Sequence, residues 1–267
     1  MNRFFILTLL IPLFSFAGID EDRNQGPLDC DEITEEWLLE EGAFAHETHH
    51  VAVFKRIFKN MKIKTLLEFG LGYPTKFFLD RCNKVISVDI ITHGYGPETM
   101  RKFLSIYAEY SNWIPIAYFS GYLGCDYGWA PYKHYGSDSA YKATSYRHAN
   151  HKSYAPIDDF YLTELNVFIT NLLRYNKANA AFIGHAIFLR GDFVTLLFNK
   201  VPLIVAHNSD NRYLGIRDDI YGLFDVVTPD NYEEIFFPVE GGTTVWIMKK
   251  EEWKGIIEDL KAYAHEI

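Results

Sequence analysis

The residues best suited to chemistry lie in Lys64-Thr-Leu-Leu-Glu-Phe-Gly-Leu-Gly-Tyr-Pro-Thr75 and in Lys84-Val-Ile-Ser-Val-Asp-Ile90. Gly70 and Gly72 let the backbone turn sharply and approach a ligand with no Cβ in the way. Asp89 follows Gly70 by 19 residues, about where a nucleoside-binding fold sets the carboxylate that holds ribose hydroxyls. Pro74 suits the first turn of a helix, where its missing N–H costs nothing. Two glycines alone say little. The order of apolar strand, glycine turn, short helix, apolar strand and acid says more.

A second constellation is His46-Glu47-Thr48-His49-His50, which matches the His-Glu-x-x-His pattern of zinc hydrolases on a stretch of helical period. Histidines four apart share a helix face, and the intervening glutamate could activate a zinc-bound water. The third ligand expected some 20 residues on would be Glu68, which the strand pattern buries. The alternative is a helix packed beside a ligand cleft, with one of these histidines facing it. A third feature is aromatic: residues 118–161 hold nine of the 18 tyrosines. Rings with polar tips suit a flat or glycan-like acceptor or a partner surface. The same rings could equally form a self-packed lid over the sheet edge.

Regular elements must hold these residues in place. Thr34–Asn60 carries apolar positions at helical spacing, read as two helices broken at Gly42, an N-terminal helical cap. Strands are expected at 65–69, 84–89, 114–119, 180–183, 203–206, 224–228 and 243–249, with helices at 74–81, 97–110, 158–175, 189–199 and 251–265. Residues 120–157 lack any period and form an insertion after strand 3. Strands alternating with helices imply a parallel sheet covered on both faces. The last two strands are joined without a crossover helix, so the final one is expected antiparallel. The fold class is therefore α/β, a doubly wound, mostly parallel, seven-stranded sheet.

Composition bounds the partners. The chain has 267 residues, a net charge of −9 and 16% aromatic residues. A global acidic charge argues against non-specific binding to nucleic acid or to anionic membranes, which needs a basic surface. Arg3 precedes an apolar run from Phe4 to Phe14, followed by Ser15-Phe16-Ala17, the layout of a signal peptide over residues 1–17. Residues 18–267 then form one exported domain, periplasmic or secreted; an uncleaved membrane anchor, or a retained helix on a cytoplasmic domain, is the alternative. Of Cys30, Cys82 and Cys125, the first and last could pair after export, and Cys82 reads as a core residue.

The Glu68-Phe-Gly-Leu-Gly-Tyr-Pro-Thr75 stretch, with Asp89 on the next strand, resembles the class I S-adenosylmethionine-dependent methyltransferases. The resemblance covers roughly residues 44–250 and implies a methyl transfer to a small-molecule or glycan-like acceptor. It implies that Gly70 and Gly72 line the cofactor's methionine and ribose portion. It further implies that Glu68 helps hold the methionine ammonium, directly or through backbone and water, and that Asp89 binds the ribose diol. The stretches Ala181–Asp192 and Leu203–Asn208 look like the fourth- and fifth-strand regions of small-molecule O-methyltransferases. There a strand-4 acid and a strand-5 acidic pair would hold a divalent cation; here those places carry Gly184 and His207-Asn208, so no metal is expected. His185 and His207 are the candidate bases, each at the carboxyl end of a central strand; each could instead cap its strand by hydrogen bonds. The other reading from a different class is a non-catalytic exported binding protein on the same fold.

Overall fold

The computed structural model describes residues 48–72, 74–91, 97–119, 166–184, 190–207, 209, 223, 226–238 and 241–267. His46, Glu47, His185, Asn208, the signal-like segment, Cys30, Cys125 and the tyrosine-rich insertion lie outside them.

Apolar strands that alternate between two faces build the frame. The sheet comprises β1 (Thr65–Phe69), β2 (Lys84–Ile91), β3 (Trp113–Phe119), β4 (Ala180–Ile183), β5 (Leu203–His207), β6 (Tyr232–Phe237) and β7 (Thr243–Met248). Their order is β3-β2-β1-β4-β5-β7-β6. The pairs β1–β2, β1–β4, β2–β3 and β4–β5 are parallel, and β7 runs antiparallel to both β5 and β6. This is the doubly wound, mostly parallel seven-stranded sheet expected from the sequence, with the last strand reversed.

Period-two alternation sends Leu66 and Val85 to one core, and Leu67, Phe69, Ile86 and Val88 to the other. The first core is covered by α1 (Thr48–Asn60), α2 (Pro74–Leu79), α3 (Pro97–Ile106) and α6 (Lys254–Glu266). The second is covered by α4, helical over 166–176, and α5 (Arg190–Leu197). Helix α1 shows why it forms: Val51, Phe54 and Ile57 are buried on one face while Lys55 and Lys59 stay exposed on the other. Among the described residues no helix is long and apolar enough to cross a membrane.

Two expectations need correction. The sixth strand is Tyr232–Phe237 and not 224–228: residues 226–228 are not strand. The run at 224–228 is rich in Val and Phe, but of its described residues Val226 is buried and Val227 is 80% exposed, outside any strand. The Glu233 and Glu234 pair hid the true edge strand, where polar residues on the outer face are ordinary. The second strand also does not end at Asp89; it continues to Ile91, paired with β3 as far as Phe119.

Candidate functional site

In an open parallel sheet a ligand crevice forms at the carboxyl ends of the strands where the order reverses, here between β1 and β4. Both flanking residues there are glycines. The Gly70 N–H donates to the Val88 carbonyl at 2.9 Å, and the Gly184 N–H donates to the Phe69 carbonyl at 2.9 Å. Gly70 has φ 99°, a conformation that L side chains rarely adopt, so the turn itself demands glycine. Gly72 is different. A Cβ built on it would meet Pro74 Cδ at 3.5 Å, an ordinary contact. Among the described residues nothing in the packing demands glycine at this position.

Beneath the turn lies a buried polar chain that the sequence reading missed apart from its central acid. Glu68 is 0% exposed. Its Oε1 and Oε2 accept from the Thr75 hydroxyl at 2.9 and 3.0 Å, and Oε2 accepts from Ser87 Oγ at 2.6 Å. Ser87 Oγ in turn accepts from Trp113 Nε1 at 3.0 Å. Thr75 Oγ1 also accepts from the Gly72 N–H at 3.1 Å. One carboxylate thus ties β1, β2 and β3 to the glycine turn. A buried carboxylate is tolerated only when its oxygens are satisfied, and hydroxyl donors on two elements achieve that. The available sequence signal was Thr75, seven residues after Glu68 in the first turn of α2. Asp89 lies on the same face of β2 as Ser87, is 5% exposed, and sits opposite Ala117 of β3.

Glu68 also acts on its other neighbour. Burial pushes the Cys82 thiol up to about 12, and the charge of Glu68 adds to the shift.

The ends of β4 and β5 carry a different set of groups. His207 is the last residue of β5, and its ring lies 4.6 Å from that of His50 on α1. The His50 ring, buried, stacks on Phe182 at 4.9 Å and 21°. The helix bearing the histidine motif therefore does pack beside the crevice, through His50. Arg190 at the start of α5 is 2% exposed; its guanidinium donates to the carbonyl oxygens of Gly184, at 2.9 Å, and of His207. It joins the ends of β4 and β5 with a fixed cation. The tail of β5 is held further by Ser209, whose Oγ accepts from Thr244 Oγ1 at 2.7 Å.

Among the described residues this end of the sheet offers no carboxylate set for a divalent cation. A hard cation needs carboxylates, but position 184 has no side chain, and a Cβ there would come within 2.8 Å of the Phe182 ring. Among the described residues no group of three His, Cys, Asp or Glu converges as a metal site.

No family model matches the chain, and no curated protein matches it. Solved structures do resemble it. A methyltransferase from Podospora anserina with S-adenosylhomocysteine bound is 12% identical with a TM-score of 0.48, over 89% of this chain and 100% of that one. An O-methyltransferase from Bacillus cereus in complex with S-adenosylhomocysteine is 10% identical with a TM-score of 0.45, over 84% and 92%. An O-methyltransferase from Streptomyces achromogenes in complex with S-adenosylmethionine is 9% identical with a TM-score of 0.44, over 77% and 81%. At such identities the likeness is one of fold alone.

Proposed function

We propose that the chain binds S-adenosylmethionine at the carboxyl ends of β1 and β2 and transfers its methyl group to a small-molecule or glycan-like acceptor. The observation that carries this reading is Gly72, a glycine that the packing of the described residues does not demand, beside a turn at the switch point of the sheet. An adenosyl ligand lying against Gly70 and Gly72 gives the missing side chain a purpose. Asp89 on the adjacent strand would take the ribose hydroxyls. Glu68 would serve indirectly, by fixing Thr75 and through it the Gly72 amide, because its carboxylate is wholly buried.

S-adenosylmethionine supplies a methyl already activated by the sulfonium charge, so this chain has mainly to orient the acceptor and exclude water. His207 is the described candidate for receiving a hydroxyl proton, and His185 stands as a second candidate. No step needs a divalent cation. The tyrosines of residues 118–161 would face the acceptor, and export through residues 1–17 would place the reaction outside the cytosol.

The reading of a non-catalytic exported binding protein on this fold draws on one observation. Gly184 stands where the O-methyltransferases that the sequence resembles carry a strand-4 acid, and a Cβ there would meet the Phe182 ring, so on this reading the crevice has a cofactor side and a reduced catalytic side. Titration calorimetry of the full chain with S-adenosylmethionine and S-adenosylhomocysteine tests the proposal. Wild type should bind both at micromolar concentration, and Asp89→Ala should weaken both by tenfold or more, the value of one charge-assisted hydrogen bond. A folded wild type that binds neither sinks the methyltransferase reading.

A further inference from the structure

The global charge of −9 hides a strong local asymmetry. Between Glu47 and Glu68 there is no acid at all, against Lys55, Arg56, Lys59, Lys62 and Lys64. Between Glu164 and Asp192 there is again no acid, against Arg174, Lys177 and Arg190. The fold brings much of this charge to one place, because every parallel strand starts on the same edge of the sheet. Lys59 ends α1, and Lys62 and Lys64 fill the link to β1. Arg81 and Lys84 fill the link from α2 into β2, and Arg174 and Lys177 close α4 ahead of β4.

Hydrogen bonds knit these links together. The Lys84 N–H donates to the Lys64 carbonyl at 3.0 Å, and Lys84 Nζ reaches Asn176 Oδ1 at 3.4 Å. Asn179 Oδ1 accepts from the Lys64 and Thr65 amides at 3.1 and 2.8 Å. Lys59, Lys62 and Arg81 also line an open groove of about 480 Å³ over Phe58 and Met61. Of these seven basic side chains, six are exposed and Lys84 is half-buried. Of the acids at this edge, Glu109, Asp230, Glu251 and Glu252 are exposed, and two others are engaged elsewhere. Asp80 accepts from Lys76 Nζ at 2.8 Å and from the Tyr110 hydroxyl at 3.1 Å; Asp259 accepts from Arg56 and Asn60.

We propose that this amino-terminal edge of the sheet is a docking face for an anionic membrane surface. Clustered lysines and arginines each gain binding energy near a layer of lipid phosphates, with no need for fixed partner geometry. The groove between Lys59, Lys62 and Arg81 suits a phosphate headgroup. Tyr175, 76% exposed beside Arg174, offers a ring with a polar tip, the kind that sits at headgroup level. A nucleic acid is the weaker fit. It would lie on the edge opposite Gly70, a strand length of about 17 Å from the crevice, and could not present a base there. The acidic remainder of the chain would be repelled from the same lipids, so docking would turn the carboxyl edge towards water. The basic face stands apart from the methyltransferase reading; only the ranking of lipid above nucleic acid rests on it.

Cosedimentation of the full chain with phosphatidylcholine vesicles, with and without phosphatidylglycerol, tests it. Any contribution of the apolar N-terminal segment is common to both vesicles and cancels in their ratio. Wild type should prefer the anionic vesicles, and salt should erode the preference. Lys62→Glu/Lys64→Glu/Lys84→Glu should weaken anionic binding by at least about a hundredfold, since losing each lysine's charge is worth roughly fivefold and the new acids add repulsion, at an unchanged melting temperature. Should the triple variant melt early, Lys62→Gln/Lys64→Gln should still lose about 25-fold. Equal binding of wild type to both vesicles would overturn the proposal, as would a preference that survives in the folded variants. Tighter binding to a short DNA duplex than to the anionic vesicles at the same salt would reassign the face to nucleic acid.

Discussion

Gly70 and Gly72 stand two residues apart in one turn and answer to different forces. At φ 99° Gly70 is glycine for the backbone's sake, so Gly70→Ala should cost about 1–3 kcal/mol of stability. Gly72 has room for a Cβ against Pro74, so Gly72→Ala should move the unfolding midpoint by less than about 0.5 kcal/mol, the range of a surface substitution. Equilibrium urea unfolding of both variants checks the contrast. Cys82 offers a second test at this scale. With its thiol pushed up to about 12 by burial and by Glu68, it should stay unmodified by iodoacetamide at pH 8 until the protein unfolds. Peptide mapping after alkylation reads Cys82 separately from Cys30 and Cys125. The glycine turn was legible in the sequence because its signal is local. The chain of partners around Glu68 was not, since Ser87 meets it only after β1 and β2 pair, and Trp113 meets Ser87 only after β2 and β3 pair.

Elements are held together by a few polar clamps at the edges of the sheet. Arg56 of α1 makes a two-pronged contact with Asp259 of α6, Nε to Oδ2 at 2.7 Å and a terminal nitrogen to Oδ1 at 2.6 Å. Asn60 adds a third bond to Asp259 at 2.8 Å. Glu233 on the edge strand β6 pairs with Lys261 of α6 and with Lys249 at 3.4 Å. The hydrogen bond from Lys261 holds the Glu233 carboxyl below its ordinary 4.5, outweighing burial, which acts in the opposite sense. A carboxylate held low stabilises the fold above its unfolded value and loses that contribution as pH falls through the folded one. Glu233→Gln should therefore lower the melting temperature by a few degrees at pH 7 and leave it nearly unchanged near pH 3. Equal losses at the two pH values would contradict this assignment. Element boundaries were readable wherever apolar alternation was strong, as in β1, β4 and β5. They failed at β6, where Glu233 and Glu234 break the apolar signal and neighbouring strands, not local propensity, decide the pairing.

Across the whole molecule, the two edges of one sheet divide the work. The carboxyl edge gathers the glycine turn, Asp89, His207 and Arg190, and the amino edge gathers lysines and arginines. Net charge alone pointed away from anionic partners, because a sum over the chain erases where each charge lies. The mostly parallel class of the sheet and its reversed last strand could be inferred from the alternation of elements and the missing crossover before β7; the strand order came from the structure. The contents of the crevice needed contacts between residues far apart in the chain: Arg190 with His207, and His50 with Phe182. The central claim is that the space beside Gly72 belongs to an adenosyl cofactor. Parallel titration of S-adenosylhomocysteine into wild type and Gly72→Ala, with unfolding curves for both, tests it most directly. The account predicts micromolar binding by wild type and at least a tenfold loss in a variant of unchanged stability. Equal affinity in the two folded proteins, or no binding by either, would contradict it.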